Sequence, residues 1–127
     1  RDGTLNEANA AVGCRIFERS GLLERLMDDE DLTQTIIADF LVDMPHQLAA
    51  LKSFVERGQT EQAGRQAHKI KGVAGNVTAL AFQETAHAME RAGRTGDGEL
   101  LRTLMLEMEQ RFSELKIHME TGGPCEF

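Results

Sequence analysis

The chain has 127 residues, of which 41% are hydrophobic and 28% are charged, the balance of an ordinary soluble domain with one core. Its formal net charge of -7 excludes the basic footprint on which nucleic-acid binding relies. No apolar run approaches the roughly 18 residues of a membrane span and no signal-peptide pattern opens the chain, so we expect a cytoplasmic protein without direct membrane insertion.

The two ends of the chain lack helical periodicity. Residues 1–13 are small and polar, and we interpret them as a linker or an expression remnant, while residues 121–127 predict a flexible tail. The chain starts at Arg1 rather than Met, which indicates a segment of a longer polypeptide. Cys14 and Cys125 make neither a disulfide framework nor a zinc pattern, so we expect no metal site.

Between the ends, apolar residues recur at steps of three and four, which is typical of amphipathic helices. A short helix is predicted over 17–27. The next helix is expected to follow Asp31 as its N-cap and to end before Gly58, where a left-handed residue belongs. Pro45 is expected to kink this helix rather than end it, because the apolar stripe resumes in phase beyond the proline. The stripe consists of Ile36, Ile37, Phe40, Leu41, Met44, Leu48, Leu51, Phe54 and Val55.

Three further helices are predicted. The first covers 60–77, with a core edge of Ala63, Ala67, Ile70, Ala74 and Val77. The second covers 79–92 and buries Phe82, Ala86 and Met89. After a turn at GRTGDG, the last presents Leu101, Leu104, Met108, Phe112, Leu115 and Met119. Amphipathic helices joined by short loops predict an all-α fold, an antiparallel up-down-up-down four-helix bundle over residues 14–120 with a short additional N-terminal helix.

The helix over 60–77 carries the stretch AHKIKGVAGN. On a helical wheel, Gly64, Lys71, Gly72 and Gly75 fall within about 60° of His68, and the apolar edge points elsewhere. A histidine among small neighbours is open to the close approach of another large molecule. Imidazole is a good nucleophile near neutral pH, and a phosphoryl group placed on it would benefit from an adjacent cation. Lys71 is placed to supply that charge, and Lys69, about 100° away, is a second candidate.

The following helix offers a matching polar face that contains Gln83, His87, Glu90 and Arg94. A carboxylate that accepts a hydrogen bond from His68 Nδ1 would leave Nε2 free to attack, and would stabilise a cationic phosphohistidine, as a carboxylate orients the imidazole of a catalytic triad. Glu90 is the candidate for this role. Two plainer interpretations remain open at this point, a solvated polar face and glycines that allow close helix packing.

The stretch AHKIKGVAGN resembles the signature of histidine phosphotransfer (HPt) domains, His-x-x-Lys-Gly followed by a second small residue three positions later. FLVDMPHQLAAL resembles the second helix of that family, including its mid-helix proline, and ETAHAMERAGRTGD resembles the helix and turn after the active helix. The resemblance implies a four-helix bundle whose His68 accepts a phosphoryl group at Nε2 from a receiver-domain aspartate and passes it to another receiver.

The resemblance also implies roles for individual residues. His68 would be the phosphoacceptor and Lys71 the cation beside the phosphate. His87 and Glu90 stand at the offsets of the fuller constellation found in the phosphotransfer domain of the chemotaxis kinase. Residues around His68 are expected to contact the receiver or leave room for it: Gly64, Lys69, Gly72, Gly75 and Gln83. Thr78 departs from the family, which often has glycine there, and its hydroxyl could cap the next helix.

The partners implied by the resemblance are response-regulator receiver domains. We expect no cofactor in this chain, and Mg²⁺ only in the partner receiver. No ATP-binding motif occurs, so the chain is expected to carry phosphoryl groups without phosphorylating itself. The linker-like head suggests the C-terminal module of a hybrid sensor histidine kinase, and we expect the isolated domain to be a monomer.

Two other functions are compatible with the helical pattern. A carboxylate–histidine metal bundle would use Glu84 with His87 and Asp43 with His46, but it would need two more inward acids that the core edges do not offer. A receiver-docking adaptor would bind the same partner without accepting phosphate. The paired His68 and Lys71 argue against the adaptor, and phosphate labelling would distinguish the adaptor from a phosphoryl carrier.

Overall fold

The computed structural model describes residues 15–121. Within that range it contains the helices α1 (Arg19–Arg25), α2 (Glu30–Glu56), α3 (Thr60–Asn76), α4 (Leu80–Thr95) and α5 (Gly98–Thr121), and no β-strand. The predicted linker at 1–13, Cys14, Cys125 and residues 122–127 of the predicted tail lie outside the described residues. Residue 121 belongs to α5 rather than to the tail.

Helices α2 to α5 form the predicted up-down-up-down bundle. Neighbouring helices are joined by residues 57–59, 77–79 and 96–97, loops so short that each helix must run antiparallel to the one before it. Each helix packs on its neighbour in the chain, and α2 also packs on α5, which closes the bundle. The short α1 packs against α2, and Arg19 joins the two through an ion pair to Glu30.

The predicted apolar stripes meet in one core. Phe40 of α2, Phe82 of α4 and Phe112 of α5 form an aromatic cluster with ring centroids 6.0 to 6.4 Å apart, a separation that suits edge-to-face and tilted contacts. The contribution of α3 to the core is mostly small, since its fully buried side chains are Ala63, Ala67, Ile70 and Ala74. Small side chains on this inner edge let α3 lie close to its neighbours, with the opposite face towards solvent.

The ends of α2 illustrate what the sequence predicted and what it did not. The N-cap is Asp29 rather than Asp31, because the Asp29 carboxylate accepts a hydrogen bond from Leu32 N at 2.9 Å. Asp31 lies in the first turn instead, where its charge favours the helix N-terminus. At the other end Gly58 is left-handed as predicted, with φ of 72°.

The bounds of two other helices differ slightly from the sequence prediction. Helix α1 covers Arg19–Arg25 instead of 17–27, since the chain turns with positive φ at Met27 and Asp28. Helix α4 covers Leu80–Thr95 rather than 79–92, and it ends at left-handed Gly96 inside the predicted GRTGDG turn. Helix α2 continues through Pro45. None of the helices in the described part of the chain is long and apolar enough to span a bilayer.

Thr78 ends α3 in a conformation that glycine adopts more easily. Its φ is 57°, and the bonds from Thr78 N to Gly75 O and from Ala79 N to Ala74 O close a Schellman motif. The hydroxyl donates to Glu18 O at 2.7 Å, while Glu18 N donates to Thr78 O at 3.3 Å. The expected cap on α4 is therefore absent: the N-cap is Ala79, and no side chain bonds to it.

Two glycine-to-alanine substitutions should change stability in opposite directions. Gly72→Ala is expected to raise the free energy of unfolding by roughly 0.4–1 kcal/mol, because a methyl group there meets nothing within 4 Å and restricts the unfolded chain. Gly58→Ala should lower it by about 1 kcal/mol, because an L side chain is strained at positive φ. Urea unfolding of both variants measures the pair, and equal signs would contradict the assigned backbone conformations.

Candidate functional site

The site lies where α3 and α4 pack against each other. Helix α3 presents His68 on its outward face, and 64% of that side chain is exposed. Helix α4 brings Glu90 up beside it, with only 10% of the carboxylate side chain exposed. The solvent-accessible imidazole of His68 therefore lies beside the buried carboxylate of Glu90.

Glu90 is the centre of a network of ion pairs and hydrogen bonds. Its Oε2 lies 2.9 Å from His68 Nδ1 and 3.0 Å from Arg94 Nη2. Its Oε1 lies 2.7 Å from Lys71 Nζ and 3.7 Å from His87 Nδ1. The structure thus brings together His68, Lys71, His87 and Glu90, the four residues expected from the sequence to form one constellation.

The surroundings of Glu90 keep it ionised. The Lys71 ammonium beside the carboxylate lowers its pKa, burial opposes that effect, and the hydrogen bond with His68 lowers the pKa further, giving a value of about 2 against an ordinary 4.5. An ionised carboxylate can only accept hydrogen bonds. At neutral pH the proton between Glu90 and His68 therefore sits on Nδ1, and Nε2 of a neutral ring keeps its lone pair.

Lys71 contacts Glu90 through a close ion pair. Oε1 is fully buried and has no partner of hydrogen-bond geometry among the described residues, although Lys71 Nζ is 2.7 Å away. The lysine side chain is 26% exposed. A long, flexible and partly exposed side chain of this kind can turn towards a second anion nearby.

Gly72 and Lys69 lie as the wheel predicted. A Cβ added to Gly72 would meet nothing within 4 Å, so the surface one turn beyond His68 is open. Lys69 is exposed and lines a groove together with His68. The opposite edge of this groove is formed by the end of α4, including Arg94.

Gly75 and Gln83 are in contact with each other. A Cβ on Gly75 would lie 2.6 Å from Gln83 Nε2, so the glutamine amide covers the position that was expected to be open. Only the end of a flexible side chain would have to move. Arg25 of α1 also reaches this point and donates to Gly75 O at 3.0 Å, a basic residue at the carboxyl end of α3.

Gly64 corrects the prediction of three open glycines around His68. It is buried, and a Cβ added there would lie 3.3 Å from both Glu90 O and Gly93 Cα. Gly64 therefore allows the close packing of α3 on α4. The sequence reasoning missed Gly93, although the buried stripe Phe82, Ala86, Met89 reaches position 93 with one further step of four.

The residues considered for a carboxylate–histidine metal site do not lie together as a set of ligands among residues 15–121. Among residues 15–121, no group of three or more His, Cys, Asp or Glu side chains is arranged to hold a metal ion. Glu84 forms an ion pair with Arg15, and Asp43 accepts a hydrogen bond from Gln47. His87 lies beside Glu90, whose oxygens are occupied by cationic side chains.

The chain is similar to a known protein family and to a solved structure. The family model described as Hpt domain matches residues 35–118. The fold is similar to the crystal structure of histidine-containing phosphotransfer protein B (HptB) from Pseudomonas aeruginosa PAO1, with a TM-score of 0.78 and 20% sequence identity over 84% of this chain and 93% of that chain. No curated protein matches the chain in sequence.

The low pKa of Glu90 predicts one contribution to stability with a defined pH window. Because the pKa is about 2 in the folded protein and about 4.5 when unperturbed, the carboxylate stabilises the fold fully above pH 4.5, and the contribution is lost as the pH falls towards 2. Glu90→Gln has no charge to titrate, so its unfolding free energy should fall less over this window.

Urea unfolding of both proteins across the acid range measures the difference. Other carboxylates titrate in both proteins and cancel. A difference in unfolding free energy that stays constant from neutral pH to about pH 2 would contradict the assigned ion pairs.

Proposed function

Since the chain belongs to the Hpt domain family, we propose that His68 is the residue on which it carries the phosphoryl group. Hpt domains are histidine phosphotransfer modules of phosphorelays that exchange phosphoryl groups with receiver domains, and they are carriers rather than kinases. The observation that supports His68 is its hydrogen bond to Glu90, which fixes one tautomer of an exposed imidazole.

The tautomer decides which ring nitrogen reacts. Nδ1 donates its proton to Glu90 Oε2 at 2.9 Å, so the lone pair that remains available is on Nε2. A neutral imidazole nitrogen is a competent nucleophile when its lone pair is free. Because 64% of the side chain is exposed, the ring is accessible to a phosphorylated aspartate on a docked receiver.

The transfer step follows from this arrangement. The Nε2 lone pair forms the bond to phosphorus while the bond from phosphorus to the aspartate oxygen breaks, and the electron pair leaves with the aspartate carboxylate. The ring then carries a positive charge, which Glu90 stabilises through the Nδ1 proton. The reverse sequence delivers the phosphoryl group to a second receiver. Mg²⁺ expected in the receiver would stabilise the charge on the transferring group, and we expect this chain to need no cofactor of its own.

Lys71 is proposed to neutralise part of the new charge. A phosphorylated ring carries close to two negative charges on its phosphoryl oxygens. Lys71 lies one helical turn beyond His68, and its partly exposed side chain forms an ion pair with Glu90. Arg94 stays beside Glu90 when Lys71 turns outward, so the buried carboxylate keeps a positive neighbour.

The receiver is proposed to dock on the face of α3 and α4 around His68. Gly72 leaves open space for the partner, and Lys69 is an exposed cation beside the ring. Gln83, lying over Gly75, presents an amide that can shift as the partner approaches. Gly64 takes part through the packing that supports this face.

The wider setting of the domain is part of the same proposal. We place it in the cytoplasm as a monomer, because a single docking face on one bundle is sufficient for exchange with a receiver domain. A position at the C-terminal end of a hybrid sensor histidine kinase stays a prediction from the sequence.

Replacement of His68 tests the assignment of the phosphoacceptor. The wild-type protein, incubated with a phosphorylated receiver, should gain a label that is labile in acid and stable in base. His68→Gln should gain none, since the amide is no nucleophile, while its circular dichroism stays helical. The matched control is His118→Gln, whose ring Nδ1 on α5 donates to Glu114 O, away from the α3–α4 face. A label on His68→Gln would overturn the assignment, and no label on the wild-type protein would favour the docking adaptor.

A bulkier side chain at residue 72 tests the docking face. Gly72→Gln should slow transfer from the receiver about tenfold or more, because the side chain would occupy space in which nothing now lies within 4 Å. Gly72→Ala should slow it less. Gly98→Gln serves as the control, because a Cβ added there would make only ordinary contacts with Arg102 and Thr60. Equal transfer rates for the wild-type and Gly72→Gln proteins would show that the partner docks elsewhere.

A further inference from the structure

Helices α3 and α4 touch backbone to backbone where Gly64 meets Gly93. A Cβ on Gly93 would lie 2.5 Å from Gly64 Cα, 2.7 Å from Gly64 N and 2.7 Å from Thr60 O. A Cβ on Gly64 would lie 3.3 Å from Gly93 Cα and from Glu90 O. All of these neighbouring atoms are backbone, so none can move aside as a side chain would. No side chain fits at residue 93 unless the backbone moves, and a side chain at residue 64 would need a small shift.

This contact is next to the hydrogen bond that fixes the His68 tautomer. Gly64 precedes His68 by four residues and Gly93 follows Glu90 by three, so the members of each pair share a helix face. The separation of the two helix backbones at the glycines therefore controls the separation of the imidazole from the carboxylate one turn away.

The distances show that a small increase in the separation of α3 and α4 would break the hydrogen bond between His68 and Glu90. A Cβ at residue 93 would begin 2.5 Å from Gly64 Cα, and ordinary contact begins at 3.4 Å, so the helices would have to part by about 0.9 Å. The bond from His68 Nδ1 to Glu90 Oε2 is 2.9 Å long and is lost once it lengthens by about 0.6 Å. The long side chains of Lys71 and Arg94 can follow a receding carboxylate, but the imidazole ring has little reach.

We propose that Gly93, with Gly64 opposite it, is a positioning residue that holds α4 close enough to α3 for Glu90 to keep the His68 proton on Nδ1. Neither glycine contacts the phosphoryl group, and both act through Glu90. The consequence for phosphotransfer rests on the proposed function, since it is His68 Nε2 that must keep its lone pair. The tautomer itself is a property of the unphosphorylated protein.

Nitrogen-15 NMR of the imidazole ring reads the tautomer directly, with neither receiver nor phosphate present. In neutral His68 of the wild-type protein, the proton should reside on Nδ1. In Gly93→Ala the ratio of the Nδ1-protonated to the Nε2-protonated ring should fall on the order of tenfold, the effect of one hydrogen bond to a charged group. Gly64→Ala should show a smaller change, because its closest contact is 3.3 Å rather than 2.5 Å.

Gly98→Ala is the matched control for both variants. A Cβ there would lie 3.8 Å from Arg102 Nη1 and 3.9 Å from Thr60 Cγ2, which is ordinary contact, so its His68 tautomer should equal that of the wild-type protein. Thermal unfolding by circular dichroism establishes which variants are folded. Gly64→Ala needs a shift of only a few tenths of an ångström and keeps the test open if Gly93→Ala does not fold.

Phosphorylation by phosphoramidate links the tautomer to reactivity. In that reaction Nε2 bonds to phosphorus and ammonia leaves, so no receiver has to dock. The rate should fall in Gly93→Ala by the same factor as the Nδ1-protonated population. A wild-type tautomer in folded Gly93→Ala, or in folded Gly64→Ala if Gly93→Ala does not fold, would overturn the positioning role, while labelling of wild-type His68 would stand. A label that persists in His68→Gln would overturn the proposed function and leave the tautomer result untouched.

Discussion

The buried carboxylate of Glu90 is the charge around which the site is built. Removing an ionised carboxylate from water is costly unless cations and hydrogen bonds replace the lost hydration. Here Lys71 of α3 and Arg94 of α4 supply the cations, and the His68 ring supplies a further donor. The carboxylate stays ionised with a pKa of about 2 only because these groups converge on it from two helices. The packing of α3 on α4 is thus a condition for the chemistry of the histidine.

The charges around Glu90 suit the reversible addition of an anion to the site. With His68 neutral, one carboxylate faces the cations Lys71 and Arg94, so the site carries an excess of positive charge in a chain whose net charge is -7. In the proposed function, a phosphoryl group on Nε2 would add the missing negative charge at the surface, where Lys71 is partly exposed. The carboxylate orients the free ring, and under the proposed function it would also balance the charge of the phosphorylated ring.

The periodicity of the sequence was enough to predict the bundle and the position of each residue around its own helix. The face that joins His68 to Lys71, and the face that places Glu90 opposite, were both derived from steps of three and four. A helical wheel contains no distance between helices, so it grouped Gly64 with the open Gly72, although the structure buries Gly64 against Gly93. Whether a glycine is open or closed depends on what the neighbouring helix places over it.

Local conformation was also beyond the sequence pattern in two places. Asp29 and Asp31 are equally good N-cap residues by type, and the choice between them depends on where the turn at Met27 and Asp28 ends. Thr78 closes a left-handed turn that favours glycine, and it is compensated by the backbone of Glu18, a residue far away in the chain.

That pair of bonds has a mechanical meaning. Glu18 and Thr78 hold the segment before α1 to the carboxyl end of α3, and Arg25 makes a second attachment at Gly75. A tensile force applied to the backbone at Glu18 would therefore act directly on the carboxyl end of α3, the end nearest Lys71 and Gly72. The core edge of α3 holds this helix in the bundle, and its carboxyl end is bonded to Glu18, just before α1.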